Sequence, residues 1–386
     1  MAKKMTFLDR RQSGSLKWDG YSEIFHRDDL LPLWVADMDF EVCKPIQEAI
    51  NRRQKHSLYG YPVVDTLFYE AIIYWHKARY NTLIKKEWII PLNGVASAIF
   101  AALEAVSQTN DPVMIFTPVY GPFFSIPRTM GRKLIEFDFS ISNDGYFLDF
   151  EYLENELERQ KPKALIFCHP HNPIGKVWTR NELEKLSLLC EKHGCCIISD
   201  EIHSDIMYDG IIHTPFYDIK NNFFISLYAP TKSFNIPGLN IAYAVVDLES
   251  VREKFHRFAQ NMHITLPGSF GLEALKAAYF NGEEWLEDLL KQLRQNRKIV
   301  CNFFEFTDYA KFYKPSATYL GWIDFSPSKY DAKSIKRKLL DEAKVGLSGG
   351  DFFFGGKPST FHRINFATSP EILKIALEKI KNSFTN

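Results

Sequence analysis

The lysine at position 232 lies in a segment that suits covalent chemistry with a carbonyl compound. The segment APTKSFNIPGLN, 229–240, follows an apolar run that we predict to be a strand, Phe224–Leu227, and it contains a Pro-Gly bend. A lysine held at a strand end has a fixed position, and burial or a nearby cation lowers its pKa, which favours a Schiff base. On its own this turn is weak support, because most lysines lie on the protein surface.

A second segment places two carboxylates and a histidine directly after another apolar run. SDEIH, 199–203, follows Cys196–Ile198, so Asp200 is predicted at the carboxyl edge of a sheet. A carboxylate there can pair with a protonated ring nitrogen, which a pyridinium cofactor needs in order to act as an electron sink. His203 can support the same ring or its phenolic oxygen. Taken alone, the motif fits an exposed acidic pair at a strand end equally well.

A turn after the apolar run Ala164–Cys168 offers an amide side chain. In HPHNPIGKVW, 169–178, the Asn-Pro pair and the later glycine predict a sharp turn. Asn172 in this turn can donate its amide to a phenolate oxygen. Most Asn-Pro turns are structural, so this motif gains weight only beside the others.

Two loops nearer the N-terminus complete the set. In NGVAS, 93–97, a glycine opens a helix, so the amides of Val95 and Ala96 can bind a phosphate at the positive helix end. In TPVYGPF, 117–123, Tyr120 follows a strand and can stack on an aromatic cofactor. Each loop alone is a common structural feature. Together the five loops, each after a predicted strand, predict one cofactor site.

The elements that must position these loops form an α/β pattern. From about residue 89, short apolar strands alternate with helical stretches, which is typical of a doubly wound, mostly parallel sheet. Ligands bind beyond the carboxyl ends of such strands. The predicted strands are Val113–Phe116, Lys133–Phe137, Ala164–Cys168, Cys196–Ser199, Phe224–Leu227 and Ile241–Val246. The predicted helices are Val95–Val106, Tyr152–Gln160 and Arg180–His193.

A smaller α+β domain is predicted near the C-terminus. After a long helical region, about 268–306, the pattern changes to short strands and helices. These are predicted at Tyr319–Phe325 (strand), Ser334–Ala343 (helix), Phe361–Phe366 (strand) and from Pro370 onward (helix). We therefore predict a large cofactor-binding domain over 46–285, a small domain over 286–386, and an N-terminal segment, 1–45, that packs with the small domain.

Composition favours a small-molecule partner. The chain has 386 residues, of which 46% are hydrophobic and 24% are charged, as expected for a globular protein of at least two domains. Lys+Arg and Asp+Glu both number 47, so no excess positive charge would attract nucleic acid or an anionic membrane.

The N-terminus and the cysteines predict a cytoplasmic protein. The first residues run into polar sequence without the apolar core of a signal peptide, and no apolar run has the roughly 18 residues that a membrane span needs. The six cysteines are scattered, without a CxxC pair or a zinc-like spacing with histidine. We expect reduced thiols and no metal site.

Beyond these loops, four longer strings carry a resemblance: PLWVADMDF at 32–40, YGYP at 59–62, PSATYLGWIDF at 315–325 and FHRINFATSP at 361–370. With the loops, they resemble fold-type I pyridoxal 5′-phosphate (PLP) enzymes of the class I/II aminotransferase superfamily, nearly from end to end. PLWVADMDF and SDEIH resemble in particular the MalY/PatB-type cystathionine β-lyases, also called βC-S lyases. The resemblance implies the aspartate aminotransferase fold, with PLP as the cofactor.

The resemblance also implies roles for individual residues. Lys232 is the Schiff-base lysine, Asp200 the partner of the pyridine nitrogen, and Asn172 the amide on the phenolic oxygen. Arg363 binds the substrate α-carboxylate, and Val35, Ala36 and Asn172 also belong to the substrate site. The further cofactor contacts that it implies are Tyr120 on the ring, Val95 and Ala96 at the phosphate, and His203, which stands where aminotransferases carry tyrosine.

Two further expectations concern the phosphate. Ala229 and Asn240 stand where aminotransferases often carry Ser and Arg, so phosphate binding depends on amides and on Thr231. In the family, the segment matching YGYP reaches across a dimer interface to the neighbour's phosphate. We therefore expect a homodimer in which Tyr61, rather than Tyr59, completes the partner's site.

Three functions remain compatible with these residues. A thiolate on the substrate β-carbon would be eliminated, which makes a PLP-dependent C–S β-lyase acting on cystathionine, cysteine or related thioethers the first reading. An aminotransferase is the alternative, since the same residues serve both reactions, although no second arginine for a dicarboxylate side chain is identified. A non-catalytic binding protein on the same scaffold is the third, and the presence of Lys232, Asp200 and Arg363 argues against it.

Overall fold

The computed structural model describes residues 5–142, 145–219 and 223–385. The chain folds into two compact units. The large unit comprises Val42–His171 and Lys176–Leu286, and the small unit comprises the chain up to Glu41, Asn172–Gly175 and the chain from Glu287 onward. The domains predicted over 46–285 and 286–386 stay a prediction.

Short strands occur in both units. In chain order they are β1 (Leu31–Pro32), β2 (Ile89–Leu92), β3 (Pro112–Thr117), β4 (Lys133–Asp138), β5 (Ser140–Ser142), β6 (Gly145–Phe147), β7 (Ala164–Cys168), β8 (Cys196–Asp200), β9 (Phe224–Tyr228), β10 (Ala242–Val245), β11 (Lys311–Tyr313), β12 (Leu320–Asp324), β13 (Val345–Gly346), β14 (Ser348–Gly349) and β15 (Phe361–Asn365).

Most of the helices are longer than the strands. In chain order they are α1 (Tyr21–Phe25), α2 (Lys44–Lys55), α3 (Thr66–Tyr80), α4 (Val95–Val106), α5 (Pro122–Thr129), α6 (Phe150–Gln160), α7 (Arg180–Lys192), α8 (Glu249–Asn261), α9 (Ser269–Asn281), α10 (Glu283–Glu305), α11 (Ala332–Arg337) and α12 (Pro370–Thr385). A π-helical turn, Lys338–Glu342, continues α11.

A seven-stranded sheet forms the centre of the large unit, in the order β2-β10-β9-β8-β7-β3-β4. β10 runs antiparallel to both of its neighbours, whereas the other neighbouring pairs run parallel. Every residue of β7, β8 and β9 is buried, which explains their mainly apolar sequences, because a sheet covered on both faces has no polar side. The predicted doubly wound α/β sheet is confirmed.

Local capping groups fix where several helices of the large unit begin. Thr179 and Glu182 form a reciprocal capping box at the start of α7, and Asp149 accepts a hydrogen bond from the Tyr152 amide at the start of α6. Such caps satisfy amides that have no partner within the helix. The bounds predicted for α4 and β7 match the structure, and α6 begins two residues earlier than predicted.

The small unit is an α+β assembly. Its four-stranded sheet has the order β11-β12-β15-β14, and each neighbouring pair is antiparallel. The short strand β1 pairs in parallel with β13, so that Leu31 lies beside Val345. Trp322 of β12 stacks on Phe361 with ring centroids 5.2 Å apart and contacts Phe353 edge-on, and both contacts lie in the core of this unit.

Two findings bear on the cellular setting. No helix among residues 5–142, 145–219 and 223–385 is both long and apolar enough to span a bilayer. All six cysteines are free thiols, and only Cys301 is not buried.

Candidate active site

Loops of the large unit converge at one edge of its sheet. Strands β2, β3, β7, β8 and β9 point in the same direction, so the loops that follow them begin at the same edge. Most of the predicted cofactor contacts lie in these loops.

Asp200 is the last residue of β8 and is buried. Its position pairs with Cys168 of β7 and with Leu227 of β9, and its Oδ1 accepts a hydrogen bond from the Ile202 amide at 3.1 Å. Burial raises the pKa of this carboxyl group to about 7, although the Ile202 amide and the Lys232 charge act to lower it. The structure thus brings Asp200 and Lys232 within electrostatic reach of each other, and the effect of burial on the pKa of Asp200 outweighs this attraction.

Lys232 lies in a tight turn directly after β9. The turn is closed by hydrogen bonds from the Phe234 amide to the Pro230 carbonyl, at 2.9 Å, and from the Ile236 amide to the Thr231 carbonyl, at 3.0 Å. Lys232 is half-buried between two buried neighbours, Thr231 and Ser233. The lysine is therefore held by its backbone, as the sequence predicted.

A carboxylate that the sequence analysis did not single out supports this turn. Asp205 is buried, and its Oδ2 accepts a hydrogen bond from Ser233 Oγ at 2.6 Å. Its Oδ1 accepts hydrogen bonds from Trp75 Nε1 at 3.0 Å and from the Tyr80 hydroxyl at 2.6 Å. The residue after Lys232 is thereby tied to α3, more than 120 positions earlier in the chain.

The second carboxylate of SDEIH, Glu201, has its own set of partners. Its Oε2 lies 2.6 Å from His213 Nε2 and accepts a hydrogen bond from the Tyr228 hydroxyl, also at 2.6 Å. Burial raises the pKa of Glu201 to about 7 and lowers the pKa of both His213 and His169 to about 3. The rings of these two histidines lie 4.4 Å apart. The acidic pair is therefore buried, and the reading as an exposed pair is wrong.

The N-terminus of α4 contributes backbone amides to the same edge. No side chain caps α4 at Gly94 within the part of the chain that the structure describes, and Ser97 Oγ instead donates to Asn93 Oδ1 at 2.9 Å. Val95 is buried and Ala96 is exposed. An uncapped N-terminus of a helix this long offers amide donors and a positive dipole end to an anion.

Three further predicted cofactor residues lie in loops of the large unit. Tyr120 is half-buried, with its ring edge-on to Phe123 at 6.3 Å. His203 is buried in the turn after β8, where its carbonyl accepts the Ile206 amide at 3.1 Å. Tyr61 lies between α2 and α3, and 95% of its surface is exposed.

The predicted substrate residues belong to the small unit. Arg363 of β15 is buried, and its Nη1 donates to Asn172 Oδ1 at 3.0 Å. Its Nη2 donates to the Trp34 carbonyl at 2.8 Å and to Ser348 Oγ at 3.2 Å. The guanidinium also lies over the ring of Phe353, 4.9 Å from the centroid. The structure thus brings Arg363 and Asn172 together, although they are 191 positions apart.

Val35 and Ala36 lie beside this arginine in an irregular segment. The Asn365 side-chain amide donates to the Val35 carbonyl at 2.5 Å, and the Tyr319 hydroxyl donates to the Ala36 carbonyl at 2.9 Å. Neither donor was singled out from the sequence, although both lie in strings that carry the resemblance. Each unit therefore assembles part of the predicted residues: the large unit those for the cofactor ring and phosphate, the small unit Asn172, Arg363 and the segment with Val35 and Ala36.

Comparison with known proteins gives consistent matches. Residues 28–380 match the family described as aminotransferase class I and II. Cystathionine β-lyase PatB of Bacillus subtilis is 34% identical over 97% of both chains, and protein MalY of Escherichia coli is 31% identical over 93% of this chain and 92% of its own. The structure of cystalysin from Treponema denticola, which contains a pyridoxal 5′-phosphate cofactor, is 31% identical, covers 99% of this chain and 98% of its own, and has a TM-score of 0.94.

Proposed function

Because the chain belongs to the class I and II aminotransferase family, we propose that it is a PLP-dependent carbon–sulfur β-lyase. Its substrates would be cystathionine, cysteine and related thioethers, which it would cleave to pyruvate, ammonia and a thiol. The observation that carries this proposal is the 34% identity, over 97% of both chains, to a cystathionine β-lyase. The aminotransferase alternative has less support from these relatives.

Residues of the large unit, together with Asn172 of the small unit, fit PLP. The raised pKa of Asp200 means that burial disfavours its ionised form, and a protonated ring nitrogen is the positive partner that would restore it. Lys232 would hold the cofactor covalently, as its backbone-fixed turn suits. The other residues that we assign to the cofactor are Asn172 and His203 near the ring oxygen, Tyr120 on the ring face, Val95, Ala96 and Thr231 at the phosphate, and Tyr61 from a second copy of the chain.

The chain's own groups then divide the work. When bound, PLP supplies an electron sink for the carbanion at the substrate α-carbon. Once the substrate amine has displaced it from the cofactor, the freed Lys232 amine would take the α-proton as a general base, and the Asp200 carboxylate would favour a protonated ring nitrogen. The Arg363 guanidinium binds and orients the α-carboxylate, a bidentate task that lysine performs poorly. Val35, Ala36 and Asn172 would contact the same substrate.

The leaving group decides between the two reactions. If the β-carbon carries a sulfur substituent, its loss as a thiolate and the uptake of one water would give pyruvate and ammonia, and turnover would need no keto acid. Without such a group, the same residues support transamination, which then needs a keto acid to complete the cycle.

The decisive experiment uses the purified protein with PLP and cystathionine in the absence of any keto acid. We expect pyruvate and ammonia at a steady rate, together with a yellow protein that borohydride labels at Lys232. A reaction that stops after one equivalent and restarts only when a keto acid is added would establish the aminotransferase instead. A label on a different lysine would refute the assignment of Lys232.

The assembly and location also belong to this proposal. The segment between α2 and α3 exposes large apolar side chains, with exposed fractions of 71% for Leu58, 95% for Tyr61 and 83% for Val63. A second copy of the chain that covered them would make a homodimer with shared sites. Six free cysteines suit a reducing compartment, and we propose the cytoplasm.

A further inference from the structure

The irregular segment 33–39 of the small unit has a hydrogen-bond donor on every one of its backbone carbonyl groups. Irregular backbone usually turns some carbonyls to solvent, so complete pairing is unusual for a segment without strand partners along its length. The pairs are Leu33 with the Asn365 amide (2.9 Å), Trp34 with Arg363 Nη2 (2.8 Å) and Ser348 Oγ (2.8 Å), Val35 with Asn365 Nδ2 (2.5 Å), Ala36 with the Tyr319 hydroxyl (2.9 Å), Asp37 with Asn365 Nδ2 (2.6 Å), Met38 with Arg10 Nη1 (3.0 Å) and Asp39 with the Leu8 amide (3.0 Å).

Asn365 contributes most to this pairing. It is fully buried in β15, and its Nδ2 donates to two carbonyls, those of Val35 and Asp37, while its Oδ1 accepts the Ala367 amide at 2.8 Å. Both amide hydrogens are thus used on one segment. Because alternate residues of a strand face the same side, Asn365 and Arg363 project from one face of β15 onto this segment.

Buried and partly buried charges hold the far end of the segment. Lys17 is fully buried and donates to Asp39 Oδ2 at 2.8 Å. Arg10 donates to both oxygens of Asp37, at 2.8 and 2.7 Å, and Trp18 Nε1 donates to Asp39 Oδ1 at 2.8 Å. Removing one partner from such a buried pair is strongly unfavourable, so these contacts hold the segment in a single conformation.

We propose that Asn365 and Tyr319 are positioning residues for the substrate carboxylate. They hold the backbone of 35–37 in place beside Arg363, so that the arginine and the segment present a preformed binding surface. A binding surface that is already ordered loses less conformational entropy when a ligand binds. If the segment moved, Arg363 would lose its contact with the Trp34 carbonyl and would no longer be held in the orientation that binds the carboxylate. The inference rests on the proposed function, since it takes Arg363 as the carboxylate-binding residue.

The chain offers a control for each residue: a matched loss of amide hydrogen bonds for Asn365, and the loss of a buried hydroxyl alone for Tyr319. Asn296 is also fully buried in the small unit and donates its amide to two carbonyls, those of Phe366 and Thr368, each at 2.7 Å. Asn296→Ala therefore breaks the same kind of bonds as Asn365→Ala, but none of them to segment 33–39. Tyr309 is buried, and its hydroxyl has no hydrogen-bond partner among the described residues, so Tyr309→Phe is the control for Tyr319→Phe.

The test measures binding rather than turnover. Each holoenzyme is titrated with L-alanine, which has no β-leaving group, and with ethylamine, which has no carboxylate, while the absorbance of the bound cofactor is followed. We expect Asn365→Ala to raise the dissociation constant of L-alanine by roughly tenfold or more, equivalent to about 1.4 kcal/mol, with ethylamine little changed. Asn296→Ala should lower the melting temperature about as much as Asn365→Ala does. It should leave the dissociation constant of L-alanine within roughly twofold of the wild-type value.

The proposal would be overturned if Asn365→Ala and Asn296→Ala raised the dissociation constant of L-alanine equally. It would also be overturned if Asn365→Ala raised the dissociation constants of L-alanine and ethylamine by the same factor. If Asn365→Ala does not fold, Tyr319→Phe decides, because it removes one hydroxyl and keeps the ring. Tyr319→Phe should raise the dissociation constant of L-alanine roughly threefold, whereas Tyr309→Phe should leave it unchanged. Equal constants for the two variants would refute the positioning role of Tyr319. A wild-type protein that retains no PLP would instead refute the proposed function, whereas L-alanine binding without elimination would refute only the lyase reaction.

Discussion

Ionisation of Asp200 is unfavourable in the folded protein, because its carboxyl group is buried. Its pKa rises from 3.8 to about 7 in the folded chain, so between these values the folded protein holds a proton that the unfolded chain has released. The stabilisation from this proton is complete below a pH of about 4 and is lost as the pH rises towards 7. Paired with a pyridinium, the same group would be ionised and stabilised.

A pH series on the cofactor-free protein tests this residue. We expect the free energy of unfolding of the wild type, relative to Asp200→Asn, to fall between a pH of about 4 and about 7, by an amount on the order of a few kcal/mol, and to be constant above that range. Urea unfolding at several pH values measures both proteins. Parallel pH profiles for the two proteins would show that Asp200 does not bind the additional proton.

At the residue scale, the sequence predicts site residues where a reactive type stands at the end of a predicted strand or within a few residues after it. Lys232, Asp200 and Asn172 all have that local signal. Asp205 and Asn365 have none, because Asp205 acts through Trp75, 130 positions away, and Asn365 through carbonyls 328 and 330 positions away. Contacts of that separation are set by the folded chain, and no spacing of residue types predicts them.

At the scale of elements, the turn that carries Asn172 depends on one glycine. Gly175 has a φ of +66°, and a Cβ atom there would lie 2.8 Å from Pro315 Cα. Its carbonyl also accepts the amides of Ser316 and Ala317, at 2.8 and 3.1 Å. The turn and the segment 315–317 therefore fit together only while residue 175 has no side chain.

Gly175→Ala should destabilise the protein by about 3 kcal/mol or more, since left-handed strain and a backbone clash combine. Gly194→Ala is the control, because Gly194 has a φ of +64° but no described atom within 4 Å of an added Cβ. The control should cost about 1 kcal/mol from strain alone. Urea unfolding of both variants measures the difference, and equal losses would mean that the contact with Pro315 is unimportant.

The alternation of strands and helices was predictable because burial on both faces leaves a mainly apolar run in each central strand. The direction of a strand relative to its neighbours produces no comparable pattern in the sequence. β10 reads as AYAV and is fully buried like β9, yet it runs antiparallel to both β9 and β2. Its orientation follows from the connection that the chain makes before it, and a pattern of residue types does not contain that information.

At the scale of the whole molecule, the predicted homodimer has a genetic test. Lys232→Ala and Tyr61→Ala chains, each impaired alone, should partly restore activity when co-expressed, because one site of a mixed dimer inherits neither lesion. With random pairing of equal amounts, roughly a quarter of all sites should recover. The comparison is with the two variants mixed without subunit exchange. No gain in verified mixed dimers would mean that Tyr61 serves its own chain or no site.

The small unit is built from both ends of the chain, which has a consequence for its folding during biosynthesis. The unit joins the first 41 residues to the chain from Glu287 onward, and Leu31 pairs with Val345, which lies 314 positions later. A ribosome that adds roughly 5 to 20 residues per second needs about 15 to 60 s to make that partner. During this interval the carbonyls of Leu33, Trp34, Val35 and Asp37 lack their donors, which lie at residues 348, 363 and 365. The large unit, in contrast, is already complete in sequence once Leu286 has emerged. The N-terminal part of the small unit, which ends at Glu41, should therefore remain accessible to proteases and chaperones until the last hundred residues are made. Limited proteolysis of ribosome-arrested chains should cleave this part in chains that end near Leu286 and spare it in full-length chains.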